Sequence, residues 1–245
     1  MRLGHCVFYA RTATTTGACH RCTMFAPTAE LRDALESLAD GERATGMAAY
    51  MRDQFVFLGI SAKDRRAVAK PWLRLAKQAE PEALLDLATW CWSQPEREFH
   101  HVGTDALRAG AAHLRAGDLD AIRGFITTHS WWDTVDSLAA WTVGPMVTNH
   151  DLGERMDTWV HDDNLWVART AILHQLGYKD ATDADRLFRY ADLRAADTDF
   201  FIRKAIGWAL RQYARVAPDE VRAFVDPRRD ALSGLTVREA MKHLD

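Results

Sequence analysis

The sequence predicts an all-α chain of stacked HEAT-like helical pairs. Apolar residues recur at three-and-four spacing, as in Leu31, Leu35 and Leu38, or Ile202, Ile206, Ala209, Leu210 and Tyr213. Alternating strand-type runs joined by hairpin turns are absent. Long helical segments open at Pro95, Ser130, Asp163, Asp199 and Ser233, steps of 35, 33, 36 and 34 residues, each preceded by a shorter helix. Two helices per step, without the consensus residues of other helical repeats, predict a curved solenoid whose inner helices line a concave face.

The elements follow in chain order. Residues 1–23 hold Cys6, Cys19 and Cys22 and a threonine run without helical period, and are expected to be a disordered tail or an upstream extension of the true start. Cys19 and Cys22 have half a zinc site's spacing, but no second pair follows, so no metal site is expected. Arg11 and Thr12 interrupt any secretory apolar core, which predicts a cytoplasmic chain with reduced thiols. One domain is expected over residues 24–245. Phe55-Val56-Phe57-Leu58 reads as a continuation of the helix from Met47, ended by Gly59. Cys91 follows Trp90 inside an apolar helix and is expected to be a small buried hydrophobe. Later breakers fall at Gly117, Ser130, Asp162, Gly177, Asp197, Pro218 and Pro227.

Composition narrows the class. The 245 residues are 48% hydrophobic and 27% charged, as in a folded soluble domain, and no apolar run is long enough to span a membrane. Lys and Arg total 31 against 34 Asp and Glu, a net charge of -3, so an anionic partner must be held by a local patch. Arginine supplies 25 of those cations, a bias that suits bidentate phosphate contacts or reflects genome composition.

The inner helices carry the chemistry. In Ser130-Trp131-Trp132-Asp133-Thr134-Val135-Asp136-Ser137, Ser130 is the expected N-cap, and Trp132 and Asp136 share one face at i and i+4. On the helix opening at Asp199, Trp208 falls off the apolar stripe, on the face of Lys204, Arg211 and Arg215. An aromatic among cations suits a surface that meets phosphates and a sugar. Arg169 sits on the preceding inner helix beside Trp166, where it reaches a phosphate or pairs with Asp136. A carboxylate between aromatic walls, without an activated Ser or Cys nucleophile or a Gly-rich phosphate loop, fits cleavage through an oxocarbenium-like transition state. Tyr50 and Arg66 are weaker candidates for the same surface, and His100, His101, His129 and His161 read as solvated or core histidines.

The segments Met51-Arg52-Asp53-Gln54-Phe55-Val56-Phe57-Leu58-Gly59-Ile60, Pro95-Glu96-Arg97-Glu98-Phe99, Ser130 to Ser137 and Phe200 to Trp208 resemble, in order, the AlkD family of DNA alkylation repair proteins. The resemblance runs from near Met24 to the C-terminus. It implies a monofunctional DNA glycosylase that excises cationic N-alkylated purines, 3-methyladenine and 7-methylguanine, from duplex DNA without base flipping, in base excision repair. It also implies a monomer, associated with DNA, that needs no cofactor. Position by position, it implies that Asp136 is the catalytic carboxylate, that Trp132 and Trp208 flank the lesioned nucleotide and that Arg169 contacts DNA; Lys204 and Arg211, which share the face of Trp208, and Tyr50 and Arg66, in or beside the first motif, are expected to add to the DNA surface by their positions alone. Two other functions use the same residues: a non-catalytic binder of damaged DNA, and a helical scaffold whose tryptophans anchor a protein partner.

Overall fold

The computed structural model describes residues 28–244, so the cysteine-containing segment 1–23 lies outside the described residues. From Thr28 the chain is helical: α1 (Thr28–Glu36), α2 (Gly41–Tyr50), α3 (Ala62–Ala76), α4 (Pro81–Trp92), α5 (Arg97–Gly110), α6 (Leu119–Thr127) and α7 (Trp132–Leu138). A π-helical turn, Ala139–Val143, runs directly into α8 (Gly144–His150). Then come α9 (Gly153–Trp159), α10 (Leu165–Leu173), α11 (Ala184–Leu193), α12 (Phe200–Tyr213), α13 (Pro218–Val225) and α14 (Gly234–Met241). No described helix is long and apolar enough to cross a membrane.

The repeat is written in the hydrogen bonds as well as in the packing. Helices α5, α7, α10, α12 and α14 begin at residues 97, 132, 165, 200 and 234, within two residues of the predicted openings, and each packs on the next to form an inner layer. Helices α4, α9, α11 and α13 back this layer. Side chains reach one repeat back to a free carbonyl: His113 Nε2 bonds Lys77 O at 3.1 Å and His150 Nε2 bonds Leu114 O at 2.6 Å, each across 36 residues. Tyr178 donates to Gly144 O at 2.7 Å across 34. The two histidine bonds occupy carbonyls just past helix ends, whereas Gly144 O, at the start of α8, also accepts from Thr148 Oγ1 at 3.3 Å; all three bonds tie one repeat to the next. One continuous apolar core, from Leu31 to Met241, runs the length of the stack, and Cys91 is wholly buried in it as expected, burial pushing its thiol up.

Two local expectations are corrected. The helix from Met47 does not continue through Phe55–Leu58. Helix α2 ends at Tyr50, Arg52 and Asp53 take φ of 57° and 55°, and the chain runs extended to Ile60. The extended form wins because its amides find an acceptor. Glu98, on α5 and 0% exposed, takes bonds from the N–H groups of Leu58, Gly59 and Ile60 at 3.0, 2.9 and 3.1 Å, while Val56 O accepts from Arg97 N at 2.9 Å. Gly59 has φ 88°, and a Cβ there would stand 2.0 Å from Asp40 O, so only glycine lets this segment close against the start of α2. Ser130, the expected N-cap of α7, instead donates to Ile126 O at 2.7 Å; the cap position is Trp131, without a side-chain bond.

Candidate DNA-binding and catalytic cleft

Helix α7 opens with Trp132 and carries Asp136 one turn later, so both side chains project from the same end of the inner layer. Arg169 comes from α10, and Lys204, Trp208 and Arg211 from α12, one turn apart along one side. Tyr50, 72% exposed, closes the other side and meets the Trp132 ring edge-on at 6.1 Å. Together they line a cleft of about 430 Å³, with Arg52, Trp131, Phe200 and Phe201. Seven of the eight residues singled out in the sequence therefore meet in one place. Arg66 does not; it lines an adjoining groove, with its Nε 3.4 Å from Asp105.

The carboxylate of Asp136 lies on the cleft wall with 13% of its side chain exposed. Arg169 grips it from behind through both oxygens, Nε to Oδ1 at 2.7 Å and Nη2 to Oδ2 at 2.8 Å, and donates its Nη1 to Phe201 O. A bidentate pair consumes about two of the roughly four lone-pair directions of a carboxylate, which leaves acceptor capacity toward the cleft. Of the two readings its position allowed, the structure shows Arg169 paired with Asp136: its side chain is 3% exposed and three of its five N–H groups are taken by protein, while it still borders the cleft.

Two carboxylates one turn apart are held in opposite electrostatic states. Asp133 is desolvated, but hydrogen bonds from His101 (Nε2–Oδ2, 2.7 Å) and Arg97 (Nη2–Oδ1, 2.6 Å) more than offset this and hold it well below the usual carboxylate range. Asp136 is pushed the other way: burial raises it, Arg169 only partly compensates, and the Asp133 charge adds to the rise. An under-compensated anion beside an open cleft is suited to receive a positive charge. The pH dependence follows from the sign. If the site's reaction needs the anion, activity disappears as pH falls through a raised pKa, so the acid limb of its pH–rate profile is expected above the free aspartate value of about 3.9. In Arg169→Lys the two-point grip is lost and the limb is expected to move higher still; a limb at or below that of free aspartate would remove Asp136 from the chemistry.

The floor is aromatic. Trp131, Trp166 and Phe201 pack with centroids 4.9 to 5.8 Å apart. Lys204 and Arg211 are both tied to Glu239 on α14, Lys204 Nζ at 2.6 Å from Oε1, so one acid orients two cleft cations two turns apart. The close approach of α14 depends on Gly207, where a Cβ would lie 2.5 Å from Glu239 Cβ. Sequence reasoning missed Glu239, Arg52, Phe200 and Phe201 as members of the site. The two phenylalanines had a signal, since they open the same segment as Trp208; Glu239, 28 residues or more from its partners, had none. Among the described residues no three His, Cys, Asp or Glu side chains come together to hold a metal ion.

Residues 31–244 match the protein family described as DNA alkylation repair enzyme. A solved structure described as a predicted DNA alkylation repair enzyme from Enterococcus faecalis is 31% identical, with 84% of this chain and 96% of that one covered and a TM-score of 0.78. The structure of smu.31 from Streptococcus mutans UA159 shares the fold at 15% identity, covering 75% of this chain and 98% of its own, with a TM-score of 0.56. No curated protein matches the chain.

Proposed function

The chain belongs to the DNA alkylation repair enzyme family, and from that premise we propose that it is a monofunctional glycosylase that releases cationic N-alkylated purines from duplex DNA. The observation that carries the reading is the carboxylate of Asp136, backed by Arg169 and presented to a cleft walled by Trp132, Tyr50 and Trp208.

The chemistry needs little else. Alkylation at N3 or N7 makes the purine a cation, so when the C1′–N bond breaks its electron pair neutralises the departing base, and no general acid is required. Positive charge passes to the deoxyribose. Asp136 lowers the energy of that oxocarbenium ion and orients a water toward C1′; the water's oxygen forms the new bond, and its proton is released to solvent. The faces of Trp132, Trp208 and Tyr50 add cation–π attraction of about 0.5–2 kcal/mol each. Arg52, Lys204 and Arg211 supply the local positive field that a chain of net charge -3 must concentrate where it meets phosphates. The cleft lining offers aromatic faces and cations rather than the paired donors and acceptors that read a purine edge, which favours a lesion that stays in the stack while the enzyme works from the sugar side.

The test uses two duplexes, one with a single 7-methylguanine and one with a neutral adduct at the same position. Alkali-labile abasic sites are expected from the first and almost none from the second. Equal release would show that lesion charge does not drive selectivity, and tight binding without abasic product would make the protein a damage binder instead.

A further inference from the structure

Beyond the cleft a second groove of about 350 Å³ shares Asp136 and Trp208 as its dividing wall and is lined on its far side by Arg66, Arg108, Trp141 and Gln212. Resting on the DNA-repair reading above, we propose that Arg108, Arg66 and Trp141 form a second nucleic-acid contact, which holds a phosphate and its sugar outside the nucleotide that occupies the cleft.

Three features point to this ligand. The first is unbalanced charge. Arg108 is exposed and has no carboxylate partner among the described residues, and Arg66, 58% exposed, shares the single carboxylate of Asp105 with Arg65. The second is an aromatic face presented at some cost. Trp141, 40% exposed, lies 4.5 Å beneath the Arg108 guanidinium, and it stands in the π-helical turn between α7 and α8. Pro145 explains that turn: it has no N–H to give the carbonyl of Trp141, four residues earlier, so the ladder widens there. The same turn buries the Thr142 hydroxyl without a partner. Gly177 makes room for the indole, since a Cβ there would stand 3.0 Å from its ring. The third is extent. The groove draws on α3, α5, the π-helical turn and α12, a span that suits a polymer crossing successive repeats better than a small solute. A guanidinium stacked on an indole offers its in-plane N–H groups to phosphate oxygens while the rest of the ring meets the sugar.

Arg108→Gln, Trp141→Ala and the conservative Trp141→Phe, in the full chain, are to be compared with the parent for binding of an unmodified labelled duplex across a salt series. Arg108→Gln is expected to weaken binding about fivefold and to reduce the slope of log K against log salt by about one phosphate's worth. Trp141→Ala is expected to weaken it about as much with a smaller change in slope, and Trp141→Phe to recover most of the loss. Single-turnover release of 7-methylguanine at saturating protein should stay within about twofold of the parent in all three, since none touches the reacting sugar. If binding and salt slope match the parent in both Arg108→Gln and Trp141→Ala while the parent binds and cleaves, the second contact is refuted and the glycosylase reading stands. If the parent binds no duplex, both fall together.

Discussion

Asp136→Asn is expected to slow release of 7-methylguanine by about 10²–10³-fold, the scale on which one preorganised electrostatic partner of a transition state is lost. The substitution is nearly isosteric. The amide oxygen can still accept one of the two Arg169 bonds, while the amide nitrogen, itself a donor, meets the other guanidinium N–H, so the two-point grip falls to a single bond. The charge is what disappears, and the developing oxocarbenium then faces a neutral dipole with the unmatched Arg169 cation behind it. Binding should respond in the opposite sense. Removing an anion from the cleft wall lowers repulsion of the phosphates, so duplex affinity is expected to be equal or slightly tighter. Arg169, 3% exposed, becomes a buried cation without a full counter-charge, so a lower Tm is also expected, and the rates should be compared well below it. Base release in Asp136→Asn within tenfold of the parent would end the mechanism, whereas parallel loss of binding and release would point to a structural role.

Much of this was legible in the sequence because it depends on local spacing. Trp132 and Asp136 share a face by helical period alone, as do Lys204, Trp208 and Arg211, and the steps of 33 to 36 residues between helix openings reappear as side-chain bonds spanning the same separations. What escaped depends on partners far along the chain. Residues 55–58 carry an apolar run compatible with a helix, and only the buried carboxylate of Glu98, 38 to 40 residues away, makes the extended form favourable by accepting three amides. Arg169 is only partly of that kind: its pairing with Asp136 was one of the two readings its position allowed, but its burial and its bond to the Phe201 carbonyl, 32 residues away, needed the fold. The π-helical turn had a visible cause in Pro145, but that residue's effect on where Trp141 points needed the backbone.

The largest loss of stability is expected from Arg97→Met, at a residue with no surface at all. Its guanidinium donates to both oxygens of Asp133 (3.0 and 2.6 Å), to Thr134 Oγ1 (3.0 Å) and to His129 O (2.8 Å), and lies 3.8 Å over the Phe55 ring. It also meets His100 Nδ1 at 3.1 Å; burial lowers His100 to about 3, so the ring is neutral, its Nδ1 accepts, and its Nε2–H is free to donate to Gln94 O. One side chain thus ties α5, the extended segment, the bend at His129 and the first turn of α7. Methionine fills similar space but leaves Asp133 buried with only His101 to answer it. Breaking one side of such a pair costs about 3–5 kcal/mol, or a fall in Tm of about 10 °C for a chain of this size. Removing both charges is a different matter: Arg97→Met combined with Asp133→Leu leaves no orphaned carboxylate and should recover part of the loss. Activity should not recover with it. The Arg97–Asp133 contact sets the start of α7, from which Trp132 and Asp136 are aimed, so the double variant is expected to be more stable than Arg97→Met and still slow in base release. A double variant no more stable than Arg97→Met would mean that the cost lies in the bonds to His129 and Thr134 rather than in the stranded charge, and one with parental release rates would show that the cleft does not depend on this anchor.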